Sequence, residues 1–569
     1  MSAIEIRRRA PAAAAFRASL HPVLARVYAA RGVEAEEQLV LDLDRLLPVG
    51  SLESVQAAAR LLCEHRDRRV LIVGDFDADG ATSTALMVRT LRALRFAHVD
   101  YLVPDRFRFG YGLTPAIVEA AQAREPSLIV TVDNGIASLA GVAAARALGI
   151  EVLVTDHHLP GRELPAATVI VNPNLPGSRF GSHHLAGVGV AFYTLAALAR
   201  ELGAGFSPAT LLDLVAVGTV ADLVRLDRNN RVLVHQGLAR IRAGRCVPGI
   251  RALLEIAGRS IAAANAADLG FAVAPRLNAA GRLTDMGLGI QCLLADDAPA
   301  ARESAQRLSE LNAQRRELEA RMQEEALVIA TQLLARTEGP EVSSTRAGIC
   351  LFDAGWHPGI VGLVAGRLKD RVHRPVIAFA PAEGGALRGS ARSVEGVHIR
   401  DVLDAIATAT PGLLDKFGGH AMAAGLTLPA ARLAEFSEAF DAAVRERRGD
   451  EDPRGIQHSD GELAPQEFVL DTARALRAGG PWGQGFPEPQ FDGEFELLES
   501  RLVGERHLKM RVRAPGGVID AIQFGYLGGP FDDARVRPGA RLRLLYRLEV
   551  NEYEGRERLQ MNCACLLPV

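Results

Sequence analysis

Short apolar runs recur along the first part of the chain with a steady rhythm, and each ends in a carboxylate. Val70–Val73 leads into Gly74-Asp75, Val99–Val103 into Pro104-Asp105, Leu128–Val132 into Asp133, and Val152–Thr155 into Asp156. The runs lie about 24–29 residues apart, with Ala- and Leu-rich stretches between most of them, which predicts parallel strands joined by helical crossovers. In an open α/β sheet ligands gather outside the carboxyl ends of the strands, so these aspartates are expected on one rim. One such aspartate is usually a turn or cap residue. Four in register predict a site.

Residues 1–50 read as a helical lead-in closed by Pro48-Val49-Gly50, and a helical pattern opens at Ser51 with Val55, Ala58, Ala59 and Leu62 on one face. Residues 297–337 read as one amphipathic helix of about 35 residues, about 50 Å long, equally suited to a core or to a connector between domains. Residues 345–445 start again with the strand-like run Ala347–Phe352 and a second α/β pattern, and 447–459 read as an exposed linker. The tail then alternates, with Leu508, Met510 and Val512 against Lys509, Arg511 and Arg513, which predicts an all-β module of small-barrel type. The expected organisation is a lead-in (1–50), a parallel-sheet domain (51–240), a helical region with the long connector (241–340), a second α/β domain (341–450) and the β module (460–569). Truncation after about Asp460 is expected to leave a folded remainder.

Composition narrows the class only slightly. Of 569 residues, 48% are hydrophobic and 23% charged, which is ordinary for a globular chain. The longest near-continuous apolar stretch, Leu185–Ala199, is shorter than the roughly 20 residues a membrane span needs, and no apolar segment follows the charged N-terminus. No membrane association is expected. The 6 cysteines form no CxxC pair, which argues against a zinc cage or disulfide framework and fits a reducing cytoplasm. Lys369, Lys416 and Lys509 are the lysines among 65 cationic residues; the arginine excess fits base composition as well as an anionic substrate.

The chemistry is concentrated in four segments. Asp75-Phe76-Asp77-Ala78-Asp79-Gly80 follows the first run and opens a helix. It lacks the lysine of a phosphate-binding P-loop and the closing glutamate of an EF-hand, so neither applies. Carboxylates crowded on one turn repel one another strongly, and a divalent cation is the simplest remedy. The others are Asp133-Asn134-Gly135, Asp156-His157-His158, and Gly218-Thr219-Val220-Ala221-Asp222 after the apolar run Leu211–Val217. Mixed Asp and His donors without cysteine favour Mn²⁺ or Mg²⁺ over structural zinc, and one aspartate can bridge two ions in phosphoryl transfer.

This order of motifs resembles the DHH phosphoesterase superfamily. Within it, further segments are similar to the RecJ exonuclease family: Pro104-Asp105-Arg106-Phe107 with Gly110-Tyr111-Gly112-Leu113, Pro275-Arg276-Leu277-Asn278-Ala279-Ala280-Gly281-Arg282, Gly355-Trp356-His357-Pro358-Gly359, Gly389-Ser390-Ala391-Arg392-Ser393, and Gly418-Gly419-His420. Arg108-Phe109 departs from the pattern, where acidic residues are expected, but touches no expected metal ligand. The resemblance implies an α/β fold: a parallel-sheet DHH domain, a long connecting helix, a second α/β DHH-associated domain, and a C-terminal β-barrel module of OB type. It implies two ions, Mn²⁺ or Mg²⁺, with Asp77 and Asp79 each holding one, Asp75 assisting, Asp133 bridging, and His157 and Asp222 completing the second ion's shell. Asp156 is expected to orient His157, and His158 to face the scissile phosphate, with a metal-activated water as nucleophile.

By the same resemblance Arg106, Arg276, Arg282, Ser390, Arg392, Gly419 and His420 grip a terminal phosphate. Ser390 and Arg392 share one face of a strand-like run, with Arg276 or Arg282 expected from the other side of a cleft. Phe524, Tyr526 and Tyr546 of the barrel are candidates for base stacking, about half of which should instead be barrel core. The implied activity is 5′→3′ hydrolysis of single-stranded DNA to mononucleotides, in DNA repair and recombination, by a bacterial cytoplasmic monomer. Single-strand binding protein and a RecQ-type helicase are the implied partners. Two alternatives remain: a DHH-type nanoRNase or small-nucleotide phosphatase, and a nucleic-acid-binding scaffold without catalysis.

Overall fold

In the computed structural model, residues 4–14, 16–17, 19–105, 109, 111–203, 205–335, 346–448, 455–504, 507–526, 536–553 and 556–569 are described. They fall into two compact units, Met1–Arg7 with Asn312–Gln457, and Arg8–Leu311 with His458–Val569. In chain order the strands are β1 (Ile4–Arg8), β2 (Arg69–Gly74), β3 (His98–Leu102), β4 (Leu128–Val132), β5 (Glu151–Thr155), β6 (Val169–Val171), β7 (Ile349–Phe352), β8 (Val376–Pro381), β9 (Ala386–Arg392), β10 (Lys416–Gly419), β11 (Ala423–Pro429), β12 (Gly455–Ser459), β13 (Phe491–Val503), β14 (His507–Ala514), β15 (Gly517–Gln523), β16 (Arg541–Tyr553) and β17 (Arg556–Pro568).

The apolar runs become a 5-stranded sheet in the order β3-β2-β4-β5-β6, parallel throughout. Strands β2 and β4 are buried on both faces, which is why they read as continuous rather than alternating apolar segments. The run Leu211–Val217 is different. It is a buried helix, Leu212–Ala221, with Asp222 as its C-cap. Periodicity cannot separate a short buried helix from a buried strand, and here the helix lies against the helix Ala78–Ala93 that follows β2.

The lead-in is not continuously helical: it holds β1, one helix (Pro22–Ala29) and short 3₁₀ turns. The stretch expected to be a linker ends in structure too, because Gly455–Ser459 is a strand paired with β1; residues 449–454 lie outside the described set. The long helix spans Ala298–Ala335. Its first part, with Ala301, Ala305 and Leu308 in the core, belongs to the larger unit, and the rest to the smaller. It is core and connector at once.

The smaller unit carries a mixed sheet, β10-β11-β9-β8-β7, with β7 and β8 parallel. Its core packs Phe379 on Phe436 and Phe436 on Phe440. The tail closes a 5-stranded barrel, β13-β14-β15-β17-β16, in which β15 and β17 run parallel; this is the OB arrangement.

The barrel is not a separable appendage. Its buried residues and those of the parallel-sheet domain form one continuous core in the larger unit. Arg31 donates to both oxygens of buried Asp460, at 2.9 and 3.0 Å. Tyr28 donates to the Gly479 carbonyl at 2.7 Å, and the Leu226 amide donates to the Gln484 carbonyl at 2.7 Å. Cutting after Asp460 would remove the Gly479 and Gln484 partners and the barrel's share of that core, so the expected independent module is corrected to an integral one. No helix among the described residues is long and apolar enough to cross a membrane.

Candidate metal centre and phosphate-binding residues

Three strand ends and two helix ends converge in the larger unit. Asp75 and Asp77 leave β2, and Asp77 caps the helix Ala78–Ala93 by accepting the Asp79 and Gly80 amides at 2.9 and 3.0 Å. Asp79 is on the first turn of that helix. Its two oxygens accept the Gly187 and Val188 amides, at 2.7 and 3.0 Å, from the start of the helix Gly187–Glu201. Asp133 follows β4 in the left-handed region, φ 61°, a conformation that costs a non-glycine residue and persists only where the surroundings enforce it. Gly187 is part of that enforcement: a Cβ there would come within 2.6 Å of the Asp133 side chain. Gly281 likewise lets the helix Ala274–Leu283 approach the Phe76 carbonyl, where a Cβ would come to 1.9 Å.

The donors form three overlapping groups, each with ligand atoms within 4.8 Å of one another: Asp75, Asp77 and Asp133; Asp79, His157 and Asp222; and Asp133, Asp156, His157 and His158. His157 Nε2 stands 3.1 Å from Asp133 Oδ1 and 3.5 Å from Asp222 Oδ2. Asp133 is only 2% exposed, and among the described residues no hydrogen-bond donor is aligned on its Oδ1. A buried carboxylate oxygen facing an imidazole nitrogen without hydrogen-bond alignment is a donor arrangement suited to a cation. Oxygen and imidazole donors without thiolate suit Mn²⁺ or Mg²⁺. The residues fit the ions.

Charge states agree with that reading. Burial, followed by the Asp77 charge, pushes Asp79 up to about 7. Burial, followed by the charge of Asp79, holds Asp133 and Asp222 well above the usual carboxylate range. Asp156 goes the other way: burial works upward, but the bond and charge of His158 pull it below its ordinary value.

Asp156 corrects one expectation. Its Oδ1 accepts from His158 Nδ1 at 2.7 Å, whereas the hydrogen bond it takes from His157 comes from the backbone amide, also at 2.7 Å. The ring it orients is therefore His158, not His157. Burial works to lower the His158 pKa, but the Asp156 bond and charge outweigh it and raise the imidazole to about 9.

Tyr111, in the motif Gly110-Tyr111-Gly112-Leu113, also reaches this site. Its hydroxyl donates to the Asp133 carbonyl at 3.2 Å and lies 3.1 Å from His158 Nδ1. Asn278, another unassigned motif residue, accepts the Ala78 amide at 2.8 Å and so ties the helix Ala274–Leu283 to the acidic loop. Asn134 straps two strand ends, donating to the Val73 and Val132 carbonyls. Their motif positions were visible in the sequence, but their partners are set by tertiary contact.

Of the phosphate-binding candidates, Arg106 lies outside the described residues. Arg276 donates to the Ala272 carbonyl at 2.7 Å and to Ser309 Oγ at 3.3 Å, and Arg282 is half-buried on the last turn of the same helix. In the smaller unit Ser390 and Arg392 share one face of β9, and Arg392 Nη1 donates to Ser390 Oγ at 3.0 Å. Gly362 leaves room for this pair, since a Cβ there would come within 2.8 Å of Ser390 Oγ. Gly419 ends β10, and His420 follows it exposed, its amide donating to the Ala423 carbonyl at 2.8 Å beside the strand that pairs with β9. Among the barrel aromatics, Tyr546 is fully buried and Tyr526 is also buried, while Phe524 is 57% exposed. Of these three, Phe524 is the one whose side chain is exposed.

Three family models match segments of the chain. Residues 69–219 match the DHH family N-terminal domain, 345–446 the DHHA1 domain, and 459–564 the RecJ OB domain. The chain is 50% identical to the single-stranded-DNA-specific exonuclease RecJ of Dickeya dadantii over 99% of both chains. It is also similar to the crystal structure of RecJ from Thermus thermophilus in complex with Mn²⁺, with TM-score 0.78, 32% identity, and 97% of this chain and 76% of that one covered. The Mg²⁺ complex from the same organism gives TM-score 0.73 and 30% identity, covering 96% of this chain and 74% of that one. With identity of this degree running end to end and all three domains in their order, the chain belongs to the RecJ family.

Proposed function

We propose that this chain is a single-strand-specific DNA exonuclease that degrades from the 5′ end to mononucleotides, serving DNA repair and recombination. The observation that carries it is the buried Asp133, which belongs both to the Asp75–Asp77 group and to the group that holds His157, itself shared with Asp79 and Asp222. Asp75, Asp77, Asp79, Asp133, His157 and Asp222 would hold two divalent ions, Mn²⁺ or Mg²⁺. Such ions neutralise the clustered carboxylates and polarise a phosphodiester for hydrolysis.

The remaining steps belong to side chains. Asp156 fixes the ring of His158 and favours its cationic form. We assign that imidazolium to an oxygen of the scissile phosphate, where it offsets developing negative charge. Ser390, Arg392, Gly419 and His420, with Arg106, Arg276 and Arg282, are assigned to the terminal phosphate. The exposed Phe524 is assigned to base stacking in the barrel. We place the enzyme in the bacterial cytoplasm as a monomer, working with single-strand binding protein and a RecQ-type helicase.

The test is one assay: the full chain with Mn²⁺ or Mg²⁺ and DNA labelled at either end, single- or double-stranded, beside short RNAs and 3′-phosphoadenosine 5′-phosphate. Release of mononucleotides from the 5′ label of single strands supports the reading. Turnover of only the small substrates makes the chain a small-nucleotide phosphatase or nanoRNase, and turnover of none makes it a scaffold.

A further inference from the structure

Away from the metal centre the larger unit holds a cavity of about 390 Å³, walled by Arg225, Arg228, Arg231, His184 and Phe486 with Asp227 at its edge. Arg231 is the anomaly. It is 4% exposed, its Nε is buried without a hydrogen-bond partner, and among the described residues no carboxylate pairs with it. Its guanidinium carbon instead sits 4.0 Å from the centroid of the Phe486 ring, which is stacked in turn on Trp482 at 5.2 Å. A buried charge with no counter-charge is costly unless something else supplies one.

The neighbouring acids do not. Asp460 is engaged by Arg31 through both oxygens. Asp227 caps the helix Arg228–Arg242, its Oδ1 accepting the Asn230 amide at 2.9 Å and its Oδ2 the Ser182 hydroxyl at 2.6 Å. Cationic groups gather instead. Arg225, Arg228 and His184 are exposed beside the cavity. The stem of Arg225 is laid over Gly485, whose φ of +72° and missing Cβ make the approach possible, since a Cβ there would come within 2.3 Å of Arg225 Cγ. The N-terminus of the helix Arg228–Arg242 adds its partial positive charge to the same space.

We infer that this cavity is a phosphate-binding site distinct from the metal centre, with the buried Arg231 guanidinium as its floor and Arg225 and Arg228 at its mouth. Several planar guanidinium forks around one cavity match the oxygens of a phosphate group, which can accept from more than one at a time. Burial, opposed by Tyr28 and reinforced by Arg228, lowers Arg231 to about 10, so it remains a cation at neutral pH. Two sources carry this chemistry: a backbone phosphate of a nucleic-acid strand, and the phosphate of a free mononucleotide. Arg225 follows the metal-ligand candidate Asp222 by three residues in the chain.

Binding is the readout, which separates this inference from the exonuclease reading: no turnover is needed, and failure here leaves the metal centre untouched. The full chain, with a chelator to stop cleavage, is titrated calorimetrically with inorganic phosphate, deoxythymidine 5′-monophosphate and an oligothymidylate. Arg231→Met and Arg225→Gln are compared with wild type. The second variant alters an exposed side chain, so it tests the site even if the first disturbs folding. The inference expects at least a fivefold weaker affinity for one or more of the three probes in Arg225→Gln, and a larger loss in any folded Arg231→Met. Loss confined to the oligothymidylate identifies the strand as the source; loss confined to phosphate and the mononucleotide identifies the free nucleotide. Affinities for all three probes unchanged in Arg225→Gln would overturn the site.

Discussion

The carboxylate of Asp156 and the imidazole of His158 are joined by a 2.7 Å bond from Nδ1 to Oδ1, and each shifts the other toward its charged form. The remaining oxygens and amides around Asp156 hold it still: its Oδ2 accepts the Ile136 amide at 2.9 Å, and its Oδ1 also takes the His158 amide at 3.1 Å. Asp156→Asn keeps an acceptor in place and removes the charge. Loss of a charge-assisted bond of about 1.5–3 kcal/mol predicts a 10- to 150-fold fall in kcat near neutral pH. In the chelated protein the His158 titration, followed by NMR, should move down from about 9. An unmoved titration with full activity would remove Asp156 from this role.

The metal-free protein should lose stability as pH rises. Asp79 titrates at about 7 when folded against 3.8 in the unfolded reference, so its contribution is fully present below about 3.8 and is lost as pH rises through about 7. Asp133 and Asp222 are shifted in the same direction. His158, raised from 6.5 to about 9, has the same sign, its contribution being lost as pH rises through about 9. Asp156, depressed below 3.8, acts oppositely and only in acid, where its contribution is lost as pH falls through its folded value. The Tm with chelator should therefore be lower at pH 8 than at pH 6, and Mn²⁺ should restore most of the difference. A chelated Tm that rises over this interval contradicts the carboxylate cluster.

Phe524 and Tyr546 should separate binding from folding in the barrel. Phe524→Ala should raise KM for single strands by an amount worth about 1–3 kcal/mol, with kcat little changed. Tyr546→Ala, at a fully buried position, should cost about 3–5 kcal/mol of stability instead. Deleting residues 461–569 should unfold the larger unit, seen as loss of the cooperative thermal transition, because the barrel shares its core. A deletion that melts cooperatively near the full-length Tm would restore the separable-module view.

How much of this was legible in the sequence follows from the range of the interactions. The strands β2, β4 and β5 and their terminal aspartates were readable because burial on both faces and a carboxylate at the strand end are local signals. The pairing of Asp156 with His158 rather than His157 was not, since it depends on which ring reaches back to Oδ1. The integration of the barrel was hidden as well. It rests on Arg8 meeting Asp492 of β13, 484 residues apart, and on a strand formed at the end of an apparent linker. Tyr546 and Phe524 look alike as aromatic residues on the tail; only closure of the barrel turns one inward.

Arg392→Ala should lose most of the preference for 5′-phosphorylated over 5′-hydroxyl ends. Its guanidinium is held to Ser390 Oγ at 3.0 Å and to the Ala391 carbonyl at 2.8 Å, so it is already oriented before any substrate arrives. A charge-assisted phosphate contact of about 1.5–3 kcal/mol sets the discrimination at stake. The ratio of kcat/KM for the two end chemistries, in wild type and variant, measures it. A large ratio that survives the substitution moves end recognition to other residues.

The most direct test of the account is Asp133→Ala, read as exonuclease rate and as Mn²⁺ bound per chain in the same preparation. Asp133 belongs to two of the donor groups and is buried, with no hydrogen-bond donor aligned on its Oδ1 among the described residues, so its removal should loosen both ions and abolish turnover. The fold should survive, with the chelated variant at least as stable as chelated wild type because a buried like charge is gone. A folded variant that binds Mn²⁺ poorly and has no measurable turnover is the predicted result. Activity within about tenfold of wild type, an effect of only about 1.4 kcal/mol, with two ions still bound, would contradict it.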